Sequence, residues 1–164
     1  MDRITAAVAL GSNLGDRAAH LNHAIARLHD LLGDLRVSRF YDTVPVGAPG
    51  PQPLFLNAAA VGQATMSAYE LLEALLAIEQ ERGRARPYPN AARSLDLDLI
   101  LFGDVLVDDP GLIVPHPRFR ERRFVLEPLA EIAPDMKDPV TGKTVSGLYK
   151  GLRTAPQGSP DRTI

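Results

Sequence analysis

Apolar and polar residues alternate with two different periods along this chain, and the period changes where turn residues fall. Residues 4–10 are almost all apolar and read as a buried strand. The strand ends in Gly11-Ser12-Asn13-Leu14-Gly15-Asp16, a turn that leaves Asp16 placed to cap a helix. Over 17–32, Leu21, Ile25, Leu28 and Leu32 recur at helical spacing, and Gly33 is a natural stop. His20, His23 and His29 project off that stripe and are expected as solvated surface residues. Residues 35–41 read as a second strand and 54–63 as a third, with Phe55, Asn57, Ala59 and Val61 on one face. Between them, 43–53 holds four Pro and two Gly and reads as a long loop. Ser67 and Glu70 form a capping box opening a helix to about Arg82, with Leu71, Leu75 and Ile78 as its stripe. Glu79 falls inside the apolar arc of that helix, so it must be paired, hydrogen-bonded or neutral. Either an ion pair with the following arginines or a contact to a nucleotide would satisfy it.

The pattern is clearest at 94–102. Leu95, Leu97, Leu99 and Leu101 alternate as one buried strand face. Asp96 and Asp98 share the other face, with Cβ atoms roughly 6.6 Å apart at strand rise. Gly103-Asp104 reads as a hairpin turn into 105–107. His116 stands between Pro115 and Pro117 in what should be an extended, rigid backbone, and 124–132 reads as a third helix. Residues from 153 to 164 are expected to be a loose tail after a single domain over 1–152.

Charge changes the picture locally. The net charge of -2 and 45% hydrophobic content are those of an ordinary globular domain and point to no nucleic-acid or membrane partner. Cysteine is absent, which removes disulfides, thiolate metal sites and cysteine nucleophiles. No N-terminal apolar run is long enough for a signal peptide or a membrane span, so the cytoplasm is the expected compartment. The chain has fifteen Arg and three Lys, and eight of the Arg (82, 84, 86, 93, 118, 120, 122, 123) flank the Asp96–Asp98 strand. Arginine grips phosphate bidentately, and two carboxylates ringed by arginine fit Mg²⁺ with a polyphosphate. The alternative is a solvated acidic face, or an anion-binding or RNA-binding module without catalysis, for which paired aspartates are not needed.

The order strand, helix, strand, strand, helix, strand fits an α/β (α+β) ferredoxin-like antiparallel-sheet sandwich, with helices on both faces and an added β-hairpin. Along it lie Gly11-Ser12-Asn13, Phe40-Tyr41-x-Thr43, Phe55-Leu56-Asn57, Ile78-Glu79-x-x-x-Gly83-Arg84, Arg93-Ser94-Leu95-Asp96-Leu97-Asp98, Val114-Pro115-His116 and Phe124-x-Leu126-x-Pro128-Leu129. In this order the motifs closely resemble the 6-hydroxymethyl-7,8-dihydropterin pyrophosphokinases of folate biosynthesis. The resemblance implies an ATP-dependent diphosphotransferase acting on the pterin hydroxymethyl group with two Mg²⁺ held by Asp96 and Asp98, and the chain is expected to be a monomer. It implies Arg84 and Arg93 as catalytic beside the aspartates. ATP would meet Leu72, Glu79, Arg84, Arg86, Arg93, Leu99, His116 and Arg122. The pterin would meet Thr43, Pro45, Val46, Phe55, Asn57, Asp96 and Phe124. In the loop before Arg93, where relatives carry Trp, this chain has Tyr88 as a candidate substitute.

Overall fold

The computed structural model describes residues 2–44, 54–83 and 94–153. The expectations for Pro45, Val46, Arg84, Arg86, Tyr88, Arg93 and most of the 153–164 tail lie outside these residues. Within them the chain runs β1 (Ile4–Ser12), α1 (Arg17–Leu31), β2 (Gly33–Val37), β3 (Tyr41–Thr43), β4 (Phe55–Ala64), α2 (Ala68–Glu81) and β5 (Asp96–Phe102). It continues with β6 (Val107–Asp109), β7 (Leu112–Val114), a 3₁₀ turn (Phe119–Glu121), α3 (Arg123–Ile132) and α4 (Val145–Arg153). The main sheet is antiparallel with strand order β2-β4-β1-β5, and β3 pairs with β4 beside β2. Counting β2, β4 and β5 as the second, third and fourth strands of a βαββαβ unit, this is the ferredoxin-like arrangement.

Each face of the sheet is covered by helices. Ala6, Val8 and Leu10 of β1 meet Leu21, Ala24 and Leu28 of α1 and Leu71, Leu75 and Ile78 of α2 in one core. Ala7 of β1 and Ala59 and Val61 of β4 meet Phe124, Val125, Leu126 and Leu129 of α3, with Val145 of α4, in the other. Small residues in the two central strands let helices sit close on both sides. Gly62 shows how tight this is: a Cβ there would lie 2.7 Å from Leu32 Cβ and 3.1 Å from the Gly33 carbonyl oxygen. The helix signals act as expected. Asp16 accepts a hydrogen bond from the Ala19 amide, and Ser67 and Glu70 form the reciprocal capping box.

Several details depart from the sequence reading. Leu101 does not share a face with Leu97 and Leu99. The pairing of β1 with β5 slips by one residue between Ala7 and Val8, leaving Ile100 as a bulge, so Ile100 and Leu101 both enter the α3 core while Phe102 enters the α1–α2 core. The expected strand over 35–41 is two strands, because residues 38–40 oppose only 58 and 59. Ser38 bridges the gap: its amide donates to the Ala59 carbonyl and its hydroxyl accepts the Ala59 amide, both at 2.9 Å. The hairpin is also displaced. A turn closes at Gly103, whose φ is +55°, and the Val105 amide donates to the Phe102 carbonyl, yet the paired strands are β6 and β7 around Pro110–Gly111. His116 follows a cis Val114–Pro115 bond, and its carbonyl accepts the Phe119 amide at 3.4 Å where the chain enters the 3₁₀ turn. Helix α4 had no counterpart in the sequence reading. Thr144 caps it through the Gly147 amide, and Val145 is fully buried.

Candidate active site

The antiparallel register brings the site residues into rows. Tyr41 pairs with Asn57, Asn57 with Gly11, and Gly11 with Asp96, so these four cross the sheet in line on the face that carries α3. Gly11 has no side chain, which leaves open floor between the Asn57 carboxamide and the Asp96 carboxylate. Its role was not foreseen beyond its place in the Gly-Ser-Asn motif, although a glycine ending a buried strand is a sequence-level sign of close approach. The next row holds Asp98 opposite Ala9, again a small neighbour. Thr43 pairs with Phe55 one row outward, and its hydroxyl donates to Asn57 Oδ1 at 2.5 Å, fixing the amide's orientation. Phe55, Asn57 and Asp96 are all buried, at 5%, 3% and 7% exposure.

The segment from 114 to 124 closes one side. The His116 amide donates to the Ile100 carbonyl at 2.9 Å, which draws the turn against β5. Burial, with Arg122 and Arg118 adding to it against the pull of Asp96, pushes the His116 pKa down to about 4. His116 is therefore neutral near pH 7. Its Nδ1 accepts the Arg118 amide at 3.1 Å, which assigns the ring proton to Nε2. Burial lowers the Arg122 pKa while Asp98 and Asp96 hold it up, so this guanidinium sits within the field of both carboxylates. It also lies over the Phe124 ring, 5.5 Å from the centroid, at the start of α3. Among the described arginines of the predicted ring, others turn away. Arg120 pairs with Asp138 at 2.5 Å, Arg123 lies 3.7 Å from Glu127, and Arg82 donates to His20 Nδ1 at 2.9 Å.

Glu79 reaches the site from the other face. It is 1% exposed, and its Oε2 accepts the Leu97 amide at 2.6 Å, a backbone partner that neither sequence alternative anticipated. Leu72 and Leu99 lie on this α1–α2 side, in the core behind the aspartates rather than beside them. Two of the histidines expected as solvated are engaged as well. His20 accepts from Arg82, and His23 lies 2.7 Å from Glu81, which Arg27 also binds, so the C-terminal end of α2 is tied to α1.

Among the described residues no three His, Asp or Glu side chains converge as a closed metal cage. Two carboxylates alone suit Mg²⁺, which is usually bound through one or two carboxylates with water and substrate phosphates completing the shell. The donor chemistry at Asp96 and Asp98 therefore fits the cation that the resemblance implies.

The profile of the 7,8-dihydro-6-hydroxymethylpterin-pyrophosphokinase (HPPK) family matches residues 7–134. The chain belongs to the HPPK family. A 2-amino-4-hydroxy-6-hydroxymethyldihydropteridine pyrophosphokinase of Bacillus subtilis is 44% identical over 154 residues, covering 93% of this chain and 90% of that protein. The protein of the same name from Synechocystis is 44% identical over 147 residues, covering 88% of this chain and 74% of its own. Among solved structures, an HPPK-DHPS chain in complex with substrates superposes with a TM-score of 0.74 at 14% identity, over 92% of this chain and 43% of that one. A wild-type Plasmodium falciparum HPPK-DHPS chain with pteroate gives 0.70, also at 14% identity, over 92% of this chain and 44% of that one. The chain thus spans less than half of these HPPK-DHPS chains, and at this identity the likeness is one of fold. Among the described residues no helix is long and apolar enough to cross a membrane.

Proposed function

We infer that the chain is a pyrophosphokinase, transferring diphosphate from ATP to the hydroxymethyl group of 6-hydroxymethyl-7,8-dihydropterin and releasing AMP, in folate biosynthesis. The observation that carries this reading is the row Asn57–Gly11–Asp96, an amide and a carboxylate on either side of a residue without a side chain, with Asp98 one row away. A carboxamide offers one donor group and one acceptor, the pattern that the amide edge of a pterin requires. Phe55 and Phe124 supply the aromatic faces for the ring, and Thr43, Pro45 and Val46 the remaining edge.

Asp96 and Asp98 would hold two Mg²⁺, which when bound neutralise phosphate charge and acidify the attacking hydroxyl. Arg122 offers a guanidinium already oriented over Phe124, so little freedom is lost when it meets a phosphate. Neutral His116 offers its Nε2–H to a phosphate oxygen without competing for the hydroxyl proton. Arg84, Arg86 and Arg93 would bring further charge to the transferred group. Leu72, Glu79 and Leu99 would support the nucleotide side. The chain is proposed to act as a cytoplasmic monomer with its catalytic domain over 1–152.

Phosphorus NMR of the reaction with MgATP and the hydroxymethylpterin tests this. AMP in step with a new pterin diphosphate ester supports it. ADP as the main nucleotide product, or free pyrophosphate with an adenylated pterin, overturns it in favour of a kinase or a nucleotidyltransferase. Mg²⁺-independent anion binding with no turnover would return the chain to a binding module.

A further inference from the structure

Each residue of the short strand β3 has its own side-chain anchor, and the three anchors come from different parts of the fold. The Tyr41 hydroxyl donates to Glu131 of α3 at 2.5 Å. The Thr43 hydroxyl donates to Asn57 of β4. Asp42, whose side chain points to the opposite face, accepts from Arg17 Nη1 at 2.8 Å. The same nitrogen donates to the carbonyl of Leu54, the residue just before β4, at 2.9 Å. Arg17 is the first residue of α1, so a single guanidinium nitrogen reaches from behind the sheet to both strands of the β3–β4 pair.

We propose that Arg17 is a positioning residue for the pterin: it holds β3 in register on β4 and so fixes Thr43 against Asn57 and Phe55. This rests on the pterin reading of that face given above. Among the described residues the strand has three ladder pairs, Tyr41–Asn57, Asp42–Leu56 and Thr43–Phe55, all with β4 on one side. A one-residue slip would turn Thr43 to the wrong face and release the Asn57 amide. The ion pair is partly solvent-exposed, with side-chain exposures of 31% for Arg17 and 55% for Asp42. Exposed pairs of this kind contribute little to global stability. What Arg17 adds is therefore local register, which appears in ligand affinity and not in melting.

The test is calorimetry of the hydroxymethylpterin in the presence of a non-hydrolysable MgATP analogue, with a separate titration of the analogue alone. In Arg17→Ala the pterin Kd should rise about fivefold or more, while the analogue Kd and the thermal midpoint stay near wild type. Arg17→Lys should recover much of the loss, because one nitrogen makes both bonds and an ammonium carries three donors. Asp42→Ala should cost less in the Arg17→Ala background than in wild type, the sign of a shared interaction. A pterin Kd within about twofold of wild type in Arg17→Ala, or an equal rise in the analogue Kd, overturns the proposal. Asn57→Ala separates the two readings: if it loses pterin while Arg17→Ala does not, the clamp fails and the pterin face stands. If the wild-type protein takes no pterin, both fall.

Discussion

The buried carboxylate of Glu79 on α2 accepts the backbone amide of Leu97, the residue between Asp96 and Asp98, at 2.6 Å. It thereby holds from behind the peptide that joins the two residues presenting carboxylates in front. Glu79→Ala would leave that buried N–H unpaired, at a cost of about 1–3 kcal/mol. It would also loosen the spacing of the aspartates, and turnover should fall by roughly 10- to 100-fold, since small misplacements of reacting groups are costly. Glu79→Gln keeps an acceptor and should fall between Ala and wild type in both respects. Denaturant unfolding and kcat measured on the same preparations check this, and equal effects of Ala and Gln would count against a backbone role.

Replacing Asp96 or Asp98 with Ala should abolish Mg²⁺-dependent turnover and leave folding intact. Two neighbouring carboxylates repel, and Arg122 lies within the field of both, so losing one removes repulsion and attraction together. The expected thermal midpoint is close to wild type. Near-normal activity at saturating Mg²⁺ in either variant would remove both residues from the centre of the chemistry.

Asp138 should govern acid stability. Burial raises its pKa, but Arg120, the Thr141 hydroxyl and the Val140 amide outweigh burial and bring it from 3.8 to about 2. A carboxylate depressed in the folded state stabilises above its unfolded pKa, and that contribution is lost as the pH falls from 3.8 towards 2. Asp138→Asn should therefore flatten the stability-versus-pH curve below about pH 4, the unfolded carboxylate range. Asp138→Ala should cost on the order of 2–3 kcal/mol at neutral pH, reduced from the fully buried case because Arg120 is partly exposed. Thermal unfolding from pH 2 to 7 provides the comparison.

Gly62→Ala should destabilise by about 1–3 kcal/mol, the usual range for overpacking. Its Cβ would press on Leu32 and on the Gly33 carbonyl where α1 turns into β2, and a carbonyl cannot rotate away as a long side chain can. Because this contact is far in the register from the Asn57 row, kcat at low temperature should be unchanged. A midpoint equal to wild type would mean that the α1–β2 junction shifts freely.

The helices through α3 and the two aspartates on one face were legible because each rests on local periodicity or capping. Phe55, Asn57, Ala59 and Val61 do share a face, and Ser67 and Glu70 do cap α2. What was not legible depends on pairing between distant segments. The Ile100 bulge needs β1 as its reference, and the four consecutive apolar residues from 99 to 102 carry no phase marker in sequence. The break at Ser38 depends on its hydroxyl finding the Ala59 amide. Helix α4 carries Gly147 and Gly151, which weaken its local signal, and its burial of Val145 comes from packing on α3. Likewise the engagement of His20 by Arg82 and of Glu79 by Leu97 joins elements far apart in the chain.

The bulge at Ile100 divides β5 into two stretches that are half a pleat out of step. Upstream, odd-numbered residues face α1 and α2 while Asp96 and Asp98 look the other way; downstream, the parity is reversed. The strand can thus keep the polarity that ligand chemistry demands at one end and the volume that close packing demands at the other, without either dictating the other's phase. Pairing Ile100 regularly with β1, instead of leaving it over, would force the two ends into one rhythm, with either the aspartates driven into the helical core or Leu101 and Phe102 exchanging sides.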